Sequence, residues 1–239
     1  METIGKMMVL AMMFLTMVVV DAGDTNQVYQ PCSDTRVQTG DGFTFGIVFA
    51  QRTSFYYNQT QPTQLSPCDV RLSLSSANSQ LAVFRPKVDE ISLLTINTTN
   101  NFFPANYGGY MVAFAGRKYA AVSIPAFVAN NTYIVTSFTL VLDFNDGQLQ
   151  NLYWKRDGCS SCTGNSNFTC LNSQDCAMKT SSCKGHGGTV DCSLGIQLTF
   201  SGTDKNYVAL NSWYEVGNLQ QYSLYSLFSN LKNSLTSFF

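Results

Sequence analysis

The chain has 239 residues, with 14 Lys plus Arg against 15 Asp plus Glu, so only 12% of it is charged and its formal net charge is -1. That balance offers neither a basic stripe nor an acidic tail, which excludes electrostatically steered binding to nucleic acid or to anionic membranes. Ser, Thr, Asn and Gln carry the polarity instead, while 45% hydrophobic and 13% aromatic content supplies a core for one large β domain or for one domain plus a small annex.

Lys6 precedes an apolar run from Met7 to Val20, broken only by Thr16, and Val20-Asp21-Ala22 offers a cleavage site. Residues 1–22 therefore read as a signal peptide. The run falls short of the ~20 residues a membrane-spanning helix needs, which makes an uncleaved anchor the lesser reading. Loss of the leader removes Glu2, Lys6 and Asp21 and leaves a neutral, exported chain.

From residue 43 to 154 the dominant pattern has period two, the signature of half-buried strands. Phe43, Phe45, Ile47 and Phe49 alternate with smaller residues, and Val70, Leu72 and Leu74 alternate with Arg71, Ser73 and Ser75. Strands are also predicted at 91–96, 110–115 and 119–124. A longer one runs from Thr132 to Phe144, turns at Asn145-Asp146-Gly147 and returns through Leu149 to Trp154, since Asp-Gly favours a tight hairpin. With Ile196, Leu198 and Phe200 further on, and no helical pattern between, the body (23–158) is predicted to be mainly β, a β-sandwich or jelly roll.

Two stretches set aromatic residues among loop formers: Phe55, Tyr56 and Tyr57 beside Asn58, and Phe102, Phe103 and Tyr107 before Gly108-Gly109. Rings on loops offer flat apolar faces with polar tips, so these six are a candidate platform for an uncharged ligand such as a neutral glycan. The competing reading tucks them into the sandwich edges. Asn58, Asn97, Asn130 and Asn167 begin Asn-x-Ser/Thr triplets, usable for N-glycosylation in an exported chain.

Eight Cys in an exported protein read as four disulfides. Cys32 is expected to pair with Cys68, tying the N-terminal arm to the body. Cys159, Cys162, Cys170, Cys176, Cys183 and Cys192 are expected to staple a local module at 159–192, and the spacing leaves their pairing open. Cys159 and Cys162 have zinc-ligand spacing and His186 lies nearby, but a zinc ribbon needs a second close pair. A thioredoxin-like role for the same pair needs a βαβ setting that the flanks lack. No cofactor is expected.

Residues 193–239 are predicted to add a final strand and a C-terminal amphipathic helix, with Leu224, Leu227, Phe228, Leu231, Leu235 and Phe238 on one face. Lys232 is its single basic residue, so docking on the sheet is favoured over binding at a membrane surface.

Catalytic groups are scarce. The exported chain has one His, His186, set among glycines. Paired carboxylates for glycoside cleavage would come from Asp89, Glu90, Asp143, Asp146, Asp157 and Glu215, several of which sit in turn-forming sequence. Lys155-Arg156-Asp157 and Thr203-Asp204-Lys205-Asn206 read as a solvated cluster and a turn.

Val70-Arg71-Leu72-Ser73-Leu74, the run from Gly109 through Ala115-Gly116-Arg117-Lys118-Tyr119, Asn151-Leu152-Tyr153-Trp154-Lys155-Arg156-Asp157-Gly158-Cys159 and Ser212-Trp213-Tyr214-Glu215-Val216 together resemble a land-plant family of exported proteins labelled expp-type. The resemblance spans nearly all of the chain beyond the leader. It implies a secreted, apoplastic protein and carries no activity, ligand or site residue. The sequence thus leads to a non-enzymatic binding or structural protein of the plant cell exterior, with neutral wall glycans as candidate ligands. The alternatives are a carboxylate-dependent polysaccharide enzyme and a module that presents the Cys-rich stretch to an extracellular protein.

Overall fold

The computed structural model describes residues 23–214 except 59–61, 76, 99–101, 119, 157, 160–161 and 163–166. The predicted signal peptide and the C-terminal helix beyond Asn218 lie outside the described residues.

The chain is mainly β. In order it forms β1 (Phe45–Ala50), β2 (Tyr56–Tyr57), β3 (Thr63–Gln64), β4 (Gln80–Phe84), β5 (Ser92–Ile96), β6 (Tyr110–Ala115) and β7 (Ala121–Val122). There follow β8 (Ala126–Phe127), β9 (Tyr133–Val135), β10 (Ser137–Asn145), β11 (Gln148–Lys155), β12 (Phe168–Leu171), β13 (Asp175–Lys179) and β14 (Leu194–Gly202). One sheet has the order β4-β1-β6-β7, with β8 also on β6, and a second runs β11-β10-β14-β5. Smaller sheets join β12-β13-β9 and β2-β3. All pairings between these strands are antiparallel except β10 with β14, which runs parallel from Ser137 opposite Gly195 to Phe144 opposite Gly202.

The alternation in β1 aims Phe45, Ile47 and Phe49, with Phe43 just before them, into a core shared with Leu140, Leu142 and Phe144 of β10 and Ile196, Leu198 and Phe200 of β14. The opposite side of β1 is not solvated. Val48 and Ala50 join Val112 and Phe114 of β6 and Phe55 in a second cluster, against which Cys32, Cys68 and Leu74 pack. Both central strands are therefore covered on two faces, which explains why their small residues are buried along with the large ones.

The hairpin between β10 and β11 turns on Asp146 and Gly147, both at positive φ (52° and 72°), the geometry that suits a two-residue connection between right-twisted strands. Three expectations need correction. Val70–Leu72 is a 3₁₀ turn, not a strand: the Asp69 carboxylate accepts the Arg71 N–H, Ser73 sits in the left-handed region, and Val70 is 89% exposed. The strand expected over 119–124 shortens to Ala121–Val122. The stretch from Thr132 to Phe144 is broken at Thr136, so that β9 pairs with β13 while β10 enters the larger sheet.

The bridges are Cys32–Cys68, Cys159–Cys170, Cys162–Cys176 and Cys183–Cys192. The Cys-rich stretch does not stand apart from the body. Its hairpin extends through β13 onto β9, and Met178, Cys183 and Cys192 lie in the main core.

Candidate binding site

The aromatic loops place their rings unequally. Phe55 closes the 3₁₀ turn Arg52–Phe55 and is fully buried in the second cluster, with Tyr56 half-buried beside it. Tyr57 is 48% exposed, and the Arg71 guanidinium lies 5.3 Å from its ring centroid. Asp69 holds that guanidinium as a fork, accepting from Nε at 2.9 Å and from Nη2 at 2.7 Å. These bonds, with the Arg71 backbone N–H, draw the Asp69 carboxyl down to about 2. Thr53, Ser54, Tyr56, Asn58 and Arg71 line an adjoining groove of about 550 Å³.

The second loop turns inward. Phe102 stacks on Tyr107 at 5.5 Å and meets Phe49 edge-on at 5.1 Å, while Phe103 is buried against the His186 ring at 4.3 Å. The two loops abut where Gly108, at φ 94°, packs so closely on Gln51 that a Cβ there would overlap its backbone. Their rings nevertheless serve opposite faces of the β1–β6 pair, because Phe55 and Tyr56 join one cluster and Phe102, Phe103 and Tyr107 the other. A single six-ring platform does not form. Tyr56 and Tyr57 remain as the ring surface beside the groove.

Asn58, Asn97, Asn130 and Asn167 are all exposed, as glycan attachment requires. Asn58 borders the groove itself. Asn130 Oδ1 also accepts the N–H groups of Thr132 and Tyr133 and fixes the turn into β9. The sulfurs of Cys159, Cys162 and Cys176 lie within 4.8 Å of one another because two disulfides stand side by side. Zinc and nucleophilic chemistry both need thiolates, and these sulfurs are held in disulfides, Cys162 with Cys176 and Cys159 with Cys170.

Every described carboxylate is engaged in the fold. Asp34 accepts the N–H groups of Arg117 and Lys118, Asp41 those of Thr25 and Gln38, and Asp89 those of Asn211 and Ser212. Asp191 holds Ser193, and Asp204 holds Thr39, Asn206 and Val208. Asp24, Asp69, Asp146 and Asp175 pair with Arg85, Arg71, Arg36 and Arg156, Glu90 with Lys87, and Asp143 takes the Ser201 hydroxyl. Asp157 and Glu215 lie outside the described residues. The Asp69–Arg71 fork beside Tyr57 escaped the sequence reading; its signal was the Asp-x-Arg spacing directly after Cys68.

A family model described as Uncharacterised protein DDB_G0273449 matches residues 6–134 and 127–239. The chain belongs to that family. The family takes its name from a Dictyostelium protein and carries no assigned activity. No curated protein and no solved structure matches the chain. Among the described residues no helix is long and apolar enough to cross a membrane.

Proposed function

We propose that this is an exported, non-enzymatic binding protein, a β-sandwich of its two larger sheets, which recognises uncharged glycan through the groove beside Tyr57. The observation that carries the reading is the Tyr57 ring, exposed yet held against an Arg71 that is itself fixed by Asp69. An exposed ring immobilised before binding loses little side-chain freedom when a sugar stacks on it. The structural employment of the described carboxylates supports binding over cleavage, since a glycosidase needs two of them free to face the scissile bond. Four disulfides support an oxidising exterior. The resemblance to land-plant exported proteins supports the plant wall within it.

Affinity electrophoresis through a panel of neutral wall polysaccharides tests the reading. Retardation by at least one polymer, reduced by Tyr57→Ala and by Arg71→Ala, is expected. A glycan on Asn58 would occupy the same groove, so Asn58→Gln is expected to increase retardation of glycosylated material. Retardation that is absent throughout, or unchanged by Tyr57→Ala, overturns the proposal.

A further inference from the structure

The second sheet ends in an open edge. β5 lies outermost beside β14, with Ser92 opposite Leu198 and Ile96 opposite Leu194. Among the described residues no backbone hydrogen bond reaches its other side. Exposure alternates along the strand and past both its ends, so that Ile91, Leu93, Thr95 and Asn97 form one outward row. Leu93 is 64% exposed, more than any other large apolar residue in the described strands. Opposite Thr95 stands Gly195, which adds no side chain to cover the row.

An unpaired strand of this kind is a template for another strand, and folds that keep one exposed blunt it with charge, proline or a bulge. β4, an edge of the first sheet, runs directly into Arg85 and Pro86, and Arg85 ties the N-terminal arm against its end through Asp24, Asn26 and Val28. Within β5 there is no such device. Its residues, Ser-Leu-Leu-Thr-Ile, are uncharged, its ladder with β14 is regular, and Glu90 just before it is paired with Lys87. The strand it invites is that of a second copy. An antiparallel two-fold pair centred on Leu94 would set Leu93 beside the second copy's Thr95 and Ile91 beside the second copy's Asn97, at the ~5 Å Cβ spacing of directly opposed residues.

The row ends in a sugar acceptor. Asn97 begins the triplet Asn97-Thr98-Thr99, is exposed, and its side chain bonds to none of the described residues. We propose that Asn97 carries an N-linked glycan that guards the free edge of β5 against pairing with a second copy. A sugar chain rooted there projects from the same face as Leu93 and, in the two-fold pair, falls on the incoming Ile91. Neighbouring strands lie about 4.8 Å apart, a gap that a branched, hydrated oligosaccharide does not fit. The effect is steric, so the glycan needs no contact of its own with the strand. The proposal rests on export of the chain, since such glycans belong to secreted proteins. It stands whether or not the groove at Tyr57 binds sugar.

Protein secreted from a eukaryotic host is mapped by glycopeptide mass spectrometry and weighed by light scattering after gel filtration. The parent is expected to carry glycan at Asn97 and to have the protein mass of one chain. Asn97→Gln should shift to the mass of two or more chains at the same loading. So should Thr99→Ala, which destroys the triplet and leaves Asn97 in place. Leu93→Lys added to Asn97→Gln puts a charge on the edge and should restore the single chain, while Asn58→Gln and Asn167→Gln stay single. If the Asn97 variant is not secreted, endoglycosidase trimming of folded parent protein replaces it and should produce the same shift, absent from trimmed Leu93→Lys. A bare Asn97, a single-chain mass without its glycan, or association that Leu93→Lys leaves in place overturns the proposal. Sugar missing from every acceptor would remove the exported reading as well, whereas a bare Asn97 beside occupied acceptors removes the edge guard alone.

Discussion

Arg85 Nη2 stands 2.6 Å from Asp24 Oδ2, joining the start of the described chain to the residue that follows β4. The same guanidinium donates to the carbonyls of Val28 and Asn26 and to the Thr44 hydroxyl, and lies 4.2 Å from the Tyr29 ring centroid. This one side chain thus ties Asp24, Asn26, Val28 and Tyr29 of the N-terminal arm to the body, alongside the Thr25–Asp41 bonds. Arg85→Ala is expected to destabilise the fold by about 2 kcal/mol, the scale of losing charge-assisted hydrogen bonds to partly buried acceptors. Urea denaturation measures the cost. Hydrogen exchange should show protection lost first over residues 24–30.

The acid limb of stability should depend on Asp204. Burial pushes its carboxyl up, but the N–H groups of Thr39, Val208 and Asn206 and the Thr39 hydroxyl outweigh that, and the net shift is downward. A carboxyl with a lowered folded-state value contributes stability above its ordinary value of 3.8, and that contribution is lost as pH falls through the lower folded value. Asp204→Asn is expected to be less stable than the parent at neutral pH, with the difference shrinking at the acid end. Thermal melts across that range check it; a constant difference would contradict the assignment.

Gly202 ends β14 at φ 92°, and a Cβ there would fall on the Phe144 carbonyl oxygen. The final parallel register pair, Phe144 with Gly202, leaves the strand no room to shift away. Gly202→Ala is expected to cost about 2 to 4 kcal/mol, well above an ordinary surface change. Chemical denaturation gives the value, and a change within about 0.5 kcal/mol of the parent would refute the steric argument.

Cys32–Cys68 joins residues 36 apart and packs on the second cluster. Chain-entropy arguments put its worth near 4 kcal/mol. The paired change to Ser at both positions should lower the melting temperature while leaving the spectroscopic signature of Trp154 in place, because that ring belongs to the other core.

The hairpin at Asn145-Asp146-Gly147 was legible because its turn chemistry and the flanking alternation agree. β1 was legible for the same local reason, since Phe43, Phe45, Ile47 and Phe49 already stood on one face. At Val70-Arg71-Leu72 the same periodicity misled, because the Asp69 carboxylate captured a backbone N–H that a strand would have given to a neighbour. β4, β12 and β13 went unread because Leu81 and Val83 face outward in half-polar sequence and Cys170 and Cys176 interrupt the hairpin's pattern. The parallel partnership of β10 and β14 was beyond local reading, since alternation fixes a face and not a partner. At the candidate site the same limit applied: the exposed Tyr57 and the buried Phe55 are two residues apart in one aromatic run, and only packing on Phe114 and Val112 separates their fates.

The connection that leads from β10 back to its parallel neighbour β14 contains three of the disulfides, closing spans of 11, 14 and 9 residues. Cys159–Cys170 and Cys162–Cys176 overlap, so a backbone cut anywhere between Cys162 and Cys170 is bridged twice. A protease acting there yields a two-chain molecule whose halves remain covalently joined, with both parallel strands still tethered in register. Fragments would separate on a gel only after reduction. Wherever a protease reaches it, the crosslinks make this crossover the stretch of peptide bond whose loss the fold best withstands.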